Sequence, residues 1–270
     1  MDLRHKKAAS HRETARALTN PRNSPIMEAA ILKKAGFSLM NIALIIAGGR
    51  GMRMGQEIPK QFLMAYDKPV VAYTMEAFQR HPDIDVIAMV CVEGWESVLR
   101  AYAREYGITK LRHVVPGGDN GQSSIRNGIT ELEKHYAPDD LVLIHDAVRP
   151  MVSQEIISGC IATTRERGSA IVVIPCQEAM LETRDQVSSL GVFPRDNLKR
   201  TQTPQGFPLK TIAGAHRRAL EQGITNSVSS ATLMAELGET VYFCAGSEKN
   251  LKLTTPDDME IFKALLRVQG

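Results

Sequence analysis

Residues 41–47 form a continuous apolar run without alternation, a pattern typical of a parallel strand that is covered on both faces. Five further segments have the composition of strands: 84–92, 111–115, 140–145, 169–175 and 240–244. Helical patterns separate and follow them, at 69–81, 94–106, 122–136, 153–167, 209–221, 228–237 and 256–268. Because strands and helices alternate, we predict βαβ units in an α/β fold: a mostly parallel sheet with helices on both faces.

One segment, 177–200, interrupts this alternation. It is polar and carries eight charged residues: Glu178, Glu182, Arg184, Asp185, Arg195, Asp196, Lys199 and Arg200. It separates a predicted core strand from the sequence Thr201-Gln202-Thr203-Pro204-Gln205. We therefore predict an excursion from the core, either a loop or a projecting β-arm.

The loop after the first predicted strand, residues 47–60, combines bare backbone with fixed cations. Its glycines are Gly48, Gly49 and Gly51, which follow Ala47. Glycines let main-chain N–H groups approach an anion without a Cβ atom in the way. Arg53 offers a planar fork of donors and Lys60 a mobile point charge, and both suit a triphosphate. Together these cations could stabilise the negative charge that builds up when phosphorus is attacked.

Two common phosphate-binding loops do not fit this stretch. The dinucleotide fingerprint needs a third glycine where Met54 stands, and the P-loop needs a Gly-Lys-Ser/Thr sequence that is missing. An ordinary glycine-rich turn with solvated arginines remains the alternative interpretation. The preceding strand and the Pro59-Lys60 pair favour a phosphate site, since ligands bind beyond the carboxyl ends of parallel strands.

Two more segments place polar groups at predicted strand ends. Residues 115–124 follow the third strand and lead into a helix, so main-chain groups near Gly118 and Asp119 and the Ser124 hydroxyl could read a base. The alternative is a helix N-cap after a turn. Asp146 ends the fourth strand, where a carboxylate can reach Mg²⁺ on a triphosphate or a ribose hydroxyl. A structural ion pair between Asp146 and Arg149 is the alternative there.

The composition fits a globular protein with one substantial core. The chain has 270 residues, of which 43% are hydrophobic and 23% charged. No apolar stretch reaches the roughly 18 residues of a membrane-spanning helix, so we expect a soluble protein without a membrane partner. The cysteines lack C-x-x-C spacing and are far apart: Cys91, Cys160, Cys176 and Cys244. This pattern predicts buried free thiols in a reducing compartment, and hence a cytoplasmic protein.

Positive charge is concentrated at the N-terminus. Residues 1–40 hold eight Lys or Arg and three Asp or Glu, a net charge of +5, which leaves −2 for the other 230 residues of a +3 chain. The first 39 residues could be a nucleic-acid arm, a transit peptide or an upstream extension of the start codon. We expect a disordered basic extension before Met40, and no nucleic-acid partner for the acidic body.

The sequence A-G-G-x-G-x-R-M-G from Ala47, followed by Pro59-Lys60-Gln61-Phe62, resembles the signature of sugar and alditol-phosphate nucleotidyltransferases. It is most similar to the cytidylyltransferases that act on 2-C-methyl-D-erythritol 4-phosphate or ribitol 5-phosphate. Five separated motifs extend the resemblance over about residues 41–268. It implies a Rossmann-like fold of the nucleotide-diphospho-sugar transferase type at 40–270. It also implies that 177–200 is an arm that embraces the partner subunit of a homodimer.

The resemblance implies a role for each nucleotide-side motif. The catalytic residues are Arg53 and Lys60. The nucleotide-binding residues are Ala47, Gly48, Gly49, Gly51, Gly118, Asp119, Ser124 and Asp146. In this family the positions of Gly117, Gly118 and Ser124 contact the cytosine, and Asp146 lies near the ribose and the metal ion.

The acceptor side follows from three further motifs. Arg149 belongs to His145-Asp146-Ala147-Val148-Arg149-Pro150 and is implied to face the second substrate. Arg195 and Lys252 match cations that position the acceptor phosphate, with Arg195 reaching across the dimer, and Thr203 belongs to the adjoining T-P-Q motif. A solvated surface charge is the alternative interpretation for Arg195 and Lys252.

This chain departs from the family pattern at three places, and two of them lie on the acceptor side of the site. Gly121 stands where the family has arginine, and Glu178-Ala179 where it has Asp-Thr. Val228-Ser229-Ser230-Ala231 replaces a motif with an aspartate before a helix. The nucleotide motifs are therefore better preserved than the acceptor pocket.

These observations predict a Mg²⁺-dependent cytidylyltransferase that transfers CMP from CTP to a polyol phosphate and releases pyrophosphate. Gly48-Gly49, Val148 and Gly246-Ser247-Glu248 favour ribitol 5-phosphate enzymes of surface-polymer synthesis, and 2-C-methyl-D-erythritol 4-phosphate is the close alternative. A degenerate nucleotide-binding subunit without turnover is an alternative of another class.

Overall fold

The computed structural model describes residues 39–49 and 58–269. The predicted N-terminal extension and the loop residues Gly51 and Arg53 lie outside these ranges. The ranges include most of the predicted domain at 40–270, except part of its first loop.

Seven strands form one central sheet, and four short strands form two separate hairpins. The described strands are β1 (Asn41–Ala47), β2 (Met64–Ala65), β3 (Lys68–Pro69), β4 (Val86–Cys91), β5 (Leu111–Pro116), β6 (Leu141–Asp146), β7 (Ala170–Pro175), β8 (Met180–Glu182), β9 (Gly191–Phe193), β10 (Lys199–Pro208) and β11 (Phe243–Ala245). The order in the central sheet is β11-β7-β10-β6-β1-β4-β5. All neighbours pair in parallel except β10, which runs antiparallel to both β6 and β7.

The apolar run in β1 is buried because both faces of the sheet are covered. Ile42 and Leu44 belong to one core cluster, and Ala43 and Ile45 to another. All four side chains are fully buried. Successive side chains of a strand point to opposite faces, so a strand between two helix layers needs apolar residues at every position.

The described chain contains seven α-helices, six between strands and one after the last strand. They are α1 (Val70–Arg80), α2 (Glu96–Glu105), α3 (Gly121–Glu133), α4 (Gln154–Arg167), α5 (Leu209–Glu221), α6 (Ser230–Glu236) and α7 (Pro256–Gln269). Local sequence fixes several ends: Asn120 and Ser123 form a capping box at the start of α3, and Gly168 ends α4 with a φ of 82°. None of the helices in the described ranges is long and apolar enough to cross a bilayer.

The structure contains every strand and helix that the sequence predicts, with ends that differ by a few residues, and it adds β10 in the central sheet and the short strands β2, β3, β8 and β9 outside it. The pattern does not predict β10 because it contains Pro204 and Pro208, and proline cannot donate to a sheet ladder. Pro204 lies between Thr201 and Gln205, where the register with β7 shifts. A missing N–H is tolerated at such an irregularity, so the strand can occupy the middle of the sheet.

The excursion at 177–200 is a β-arm. Its strands β8 and β9 pair antiparallel and form a sheet of their own, separate from the central sheet. Apolar side chains on this arm are strongly exposed: Leu181, Val187, Leu190 and Val192. The arm thus presents an apolar surface that the rest of the described chain does not cover.

Candidate active site

Four parallel strands end at one edge of the sheet, and two cavities lie there. In register, Ala47 of β1 is beside Cys91 of β4, Cys91 is beside Pro116 of β5, and Ile46 is beside Asp146 of β6. The first cavity, about 510 Å³, lies between the loops that follow β1, β4 and β5. The second, about 290 Å³, lies between β6, β10 and the start of α6.

Backbone contact between two glycine loops forms one wall of the first cavity. A Cβ atom on Gly48 would lie 3.1 Å from Oγ of Ser124, and one on Gly117 would lie 3.3 Å from Cα of Gly48. The loop after β5 is also tied to β4, because the Gly117 N–H donates to the carbonyl of Cys91 at 2.8 Å. Larger side chains would push the loops apart, so the glycines allow main-chain groups to line the cavity.

Ser124 is a cavity residue and not the helix cap. The N-cap of α3 is Asn120, whose side chain accepts from the Ser123 N–H at 2.8 Å. Oγ of Ser124 instead accepts from the Gly118 N–H at 3.0 Å and lines the first cavity. Ser123 thus belongs to the capping box at the start of α3, while the Ser124 hydroxyl lies beside the Gly117-Gly118 backbone. Asp119 lies exposed on the same wall.

Gln61 ties the end of the loop after β1 to its beginning. Its Nε2 donates to the carbonyls of Ala47 at 2.7 Å and Gly49 at 3.1 Å, and the residue is 2% exposed. Lys60 precedes it and begins a 3₁₀ turn, Lys60–Phe62. Gln61 therefore keeps Lys60 at a fixed place relative to the glycines.

Lys60 also adjoins the C-terminal part of the site. Burial raises the pKa of the Asp258 carboxyl, but hydrogen bonds from Thr255 and Thr254 and the nearby charge of Lys60 lower it below its ordinary value. Asp258 lies in the first turn of α7, directly after the segment that carries Lys252. Two predicted cations thus approach the site from opposite ends of the chain.

Two cations share one carboxylate oxygen in the second cavity. Nε of Arg149 lies 3.2 Å and Nζ of Lys252 lies 3.1 Å from Oδ2 of Asp146. The ion-pair alternative for Asp146 and Arg149 is thus observed, and it lies inside a cavity. Burial alone would raise the pKa of the Asp146 carboxyl, but Lys252 and Arg149 outweigh it and hold that pKa below its ordinary value. Asp146 is therefore ionised at neutral pH.

A second layer of hydrogen bonds fixes Asp146 through its neighbours in β6 and β10. The Asp146 N–H donates to Oγ1 of Thr203 at 3.1 Å, and that hydroxyl lies 3.0 Å from Nδ1 of His145. Nε2 of His145 donates to the carbonyl of Arg149 at 3.1 Å. Complete burial lowers the pKa of His145 to about 4, so the imidazole is neutral, with its proton on Nε2 and the Thr203 hydroxyl donating to Nδ1.

Asn250 positions two cations: Arg149, which it contacts, and Lys252, which follows it in the chain. Its carbonyl accepts from Nη1 of Arg149 at 2.8 Å, and its Nδ2 donates to the carbonyl of Thr203 at 2.9 Å. The residue is fully buried. Lys252 is two residues further and 43% exposed at its side chain, so its backbone is anchored while its ammonium reaches the cavity.

The two cavities are adjacent. Ile46 and Gly121 line both of them. A Cβ atom on Gly121 would meet nothing within 4 Å, so the family's arginine position opens into free space. A ligand in the first cavity can therefore contact a ligand in the second.

The structure does not bring every predicted residue to the cavities. Arg195 lies in the arm, exposed, and its Nη1 donates to the carbonyl of Gln177 at 2.8 Å. It lines neither of the two cavities. Gly51 and Arg53 lie in residues 50–57, outside the described ranges.

Sequence reasoning assigned no role to four residues that build the site: Gln61, His145, Ser230 and Asn250. Three of them stand beside predicted residues in the motifs P-K-Q-F, H-D-A-V-R-P and N-L-K-L-T. Adjacency was the available signal, since a buried polar residue next to a functional one commonly holds it in place. Ser230 carried no such signal, because it replaces a family position.

Known proteins match nearly the whole described chain. Residues 41–268 match the family profile IspD: 2-C-methyl-D-erythritol 4-phosphate cytidylyltransferase. The ribitol-5-phosphate cytidylyltransferase of Lacticaseibacillus paracasei is 41% identical over 230 residues, which are 84% of this chain and 98% of that protein. The 2-C-methyl-D-erythritol 4-phosphate cytidylyltransferase of Desulforamulus reducens is 35% identical over 227 residues, 84% of this chain and 95% of that protein.

A solved structure agrees in fold. The crystal structure of the 2-C-methyl-D-erythritol 4-phosphate cytidylyltransferase from Thermus thermophilus has a TM-score of 0.66 and 26% identity, and the match covers 83% of this chain and 98% of that one. The comparisons give no support to the alternative of a subunit without turnover. The chain belongs to the IspD family and is a cytidylyltransferase, an enzyme that transfers CMP from CTP to a polyol phosphate and releases pyrophosphate.

Proposed function

We propose that the acceptor is ribitol 5-phosphate and the product CDP-ribitol. A site for two substrates is supported mainly by one observation. Arg149 and Lys252 both contact Oδ2 of Asp146, in a cavity next to the glycine-lined one. The choice of ribitol rests on the higher identity to the Lacticaseibacillus paracasei protein, 41% against 35% for the Desulforamulus reducens protein.

The nucleotide occupies the first cavity in this proposal. Main-chain groups at Gly118 and the Ser124 hydroxyl hold the base, and the backbone at Gly48 and Gly49 holds the triphosphate. Lys60, together with Arg53 in the undescribed part of the loop, neutralises the charge that builds up as phosphorus is attacked. The acceptor phosphate is already ionised and attacks the α-phosphorus in line, so the protein supplies position and charge rather than a nucleophile.

Ser230 marks the place of the polyol chain. Its Oγ is buried, lines the second cavity and has no hydrogen-bond partner among the described residues. Ser229 cannot take this part, because its Oγ caps α6 by accepting from the Thr232 N–H at 3.1 Å. A buried hydroxyl without a partner is costly in the free protein. A hydroxyl of the polyol supplies that partner, while Lys252 and Arg149 meet the phosphate.

The residues also suit Mg²⁺. Both cations on Asp146 lie on Oδ2, and within the described ranges Oδ1 accepts no hydrogen bond. One carboxylate oxygen plus substrate phosphates is the coordination that Mg²⁺ favours at nucleotide sites. We propose that Asp146 holds Mg²⁺ together with the triphosphate, where the ion would offset phosphate charge.

The arm supports a homodimer. Leu181, Val187, Leu190 and Val192 are between 65% and 108% exposed, which is unusual for a cluster of apolar side chains in a soluble domain. A second copy of the chain would cover them, and Arg195 on the same arm would then reach the acceptor phosphate of that copy. The buried free thiols Cys91, Cys160 and Cys176 support a reducing compartment, the cytoplasm, where CDP-ribitol would be made for a surface polymer.

Pyrophosphate release from CTP, measured with a panel of polyol phosphates, tests the proposal. We expect the highest kcat/KM with ribitol 5-phosphate, no release with unphosphorylated ribitol, and loss of activity when Mg²⁺ is chelated. Ser230→Ala should raise the KM for ribitol 5-phosphate and leave the KM for CTP unchanged. A higher kcat/KM with 2-C-methyl-D-erythritol 4-phosphate would overturn the acceptor, and CTP binding without release for any acceptor would overturn the transfer.

A further inference from the structure

Three metal-ligating side chains cluster outside the active site. They are His113 in the edge strand β5, Glu131 in the last turn of α3, and His135, which lies two residues after the end of α3. One imidazole nitrogen of each histidine and one carboxylate oxygen of Glu131 lie within 4.8 Å of one another. None of the three residues lines either active-site cavity.

We propose that His113, Glu131 and His135 bind a transition-metal ion of the zinc class. Two imidazoles and a carboxylate are a ligand set that Zn²⁺ uses with a fourth position left for water. The ligands come from β5 and from the C-terminal end of α3, so a bound ion would join the strand to the helix. Glu131 and His135 are four residues apart and lie on one side of the chain, so both can reach the same ion.

The arrangement needs only small side-chain movements to close around an ion. Tetrahedral coordination at about 2.1 Å places ligand atoms roughly 3.4 Å apart, so the separations of up to 4.8 Å in the present cluster must shorten by as much as about 1.4 Å. The side chain of His135 is 45% exposed and can rotate. Nε2 of His135 now contacts Oε1 of Glu131 at 3.0 Å, a contact that the ion would replace.

The cluster has a second layer like that of known metal sites. Nε2 of His113 lies 2.8 Å from the hydroxyl of Tyr136, a contact that orients the ring. The His113 and His135 rings now stack at a centroid distance of 4.7 Å, so the exposed His135 ring must rotate before both rings can face one ion. Lys134 opposes binding, because its Nζ lies 2.7 Å from Oε2 of Glu131.

The site would brace the loop that lines the first cavity. β5 enters that loop at Gly117, and α3 leaves it at Gly121. An ion between His113 and the end of α3 ties the two elements together on the far side of the loop. Binding therefore raises the midpoint of thermal unfolding, since the unfolded chain has no assembled site.

Titration of the metal-free full-length chain with Co²⁺ and Zn²⁺ tests the site, with the visible absorption of Co²⁺ and the unfolding midpoint as readouts. We expect one ion per chain with tetrahedral Co²⁺ bands. Glu131→Gln and His135→Ala should each weaken binding by about 100-fold or more, and Tyr136→Phe by about 10-fold, because outer-layer partners contribute 10–100-fold to affinity. Lys134→Gln should strengthen binding.

Three control variants should bind as the unaltered chain does. Glu133→Gln changes a carboxylate on the same helix that pairs with Arg217 instead. Asp146→Asn removes the active-site carboxylate. The double variant His5→Ala and His11→Ala removes the N-terminal histidines. Unchanged Co²⁺ bands in His135→Ala, or their loss in any of the three controls, would overturn the proposal.

Discussion

The side-chain amide of Gln61 donates to the main-chain carbonyl of Ala47 at 2.7 Å, and so joins the two ends of the loop to which we assign the triphosphate. The same Nε2 also reaches the carbonyl of Gly49. A buried side chain at the end of the loop therefore holds the two ends of the loop together.

Gln61→Leu should lower activity as well as stability. The change removes one donor from the buried Ala47 carbonyl, which keeps the Val92 N–H, and one from the carbonyl of the exposed Gly49. Each lost hydrogen bond lowers the free energy of unfolding by about 0.5–1.5 kcal/mol. The change also releases Lys60 from its fixed place, so kcat/KM for CTP should fall more than stability alone explains. Gln154→Leu is the matched control, because Nε2 of Gln154 donates to the carbonyl of Ala77 in another part of the fold. Equal losses of activity in both variants would contradict the role of Gln61.

Lys60→Ala should reduce turnover while the fold persists. A fixed cation at the attacked phosphorus acts mainly in the transition state, and its removal lowers kcat by about 10²–10³-fold. Circular dichroism and the thermal unfolding midpoint should be unchanged. Lys210→Ala, which removes an exposed lysine paired with Asp139, should keep full activity. Near-normal turnover in Lys60→Ala would refute the catalytic assignment.

Gly118→Ala and Gly121→Ala should behave differently although both alter the same loop. A Cβ atom at position 118 would lie 2.8 Å from Cβ of Ser123, whereas one at 121 would meet nothing within 4 Å. The first change forces the loop to move and should raise the KM for CTP, and the second should not. Steady-state kinetics at varied CTP distinguish them, and equal KM values would show that the loop does not hold the nucleotide.

Lys252→Ala should weaken the acceptor more than the nucleotide. Hydrogen bonds to charged groups contribute about 1.5–3 kcal/mol, so the KM for ribitol 5-phosphate should rise by about 10-fold or more. The KM for CTP should change little. Lys249→Ala removes an exposed cation three residues earlier and should alter neither constant. A larger rise in the KM for CTP than for the acceptor would reverse the assignment of the two cavities.

Stability should decrease in mild acid because of His216. Burial, with Arg126 nearby, lowers its pKa to about 4, and neither ring nitrogen has a partner among the described residues. Below pH 6.5 this histidine binds a proton in the unfolded chain, whereas in the folded chain it binds one only near pH 4. The free energy of unfolding should thus fall between pH 6.5 and 4, by up to about 3 kcal/mol for this group, and be constant above that window.

His216→Leu should reduce the change in the free energy of unfolding between pH 6.5 and 4. Urea unfolding at several pH values measures it for both chains. The remaining slope in the variant would come partly from His145, whose pKa is also about 4. An unchanged slope in His216→Leu would contradict the argument.

Sequence periodicity predicts the order of the elements and the end of the sheet at which ligands bind, because burial on two faces leaves an unbroken apolar run such as Ile42–Ile45. It does not predict β10. A strand with Pro204 and six polar residues in ten has no apolar pattern, and it is held instead by β6 and β7 on either side.

Short contiguous motifs were enough to predict the family, the transferred group and the residue types of the loop at 47–60. The contacts between remote groups became known from the three-dimensional arrangement. Asp146, Arg149 and Lys252 meet on a single oxygen, although Lys252 lies more than a hundred residues from the other two. Within the described residues Ser230 carries a buried hydroxyl without a partner, whereas the hydroxyl of the adjacent Ser229 caps α6. Hydrogen bonds and ion pairs depend on distances of about 3 Å between atoms, and a sequence does not contain distances between remote segments.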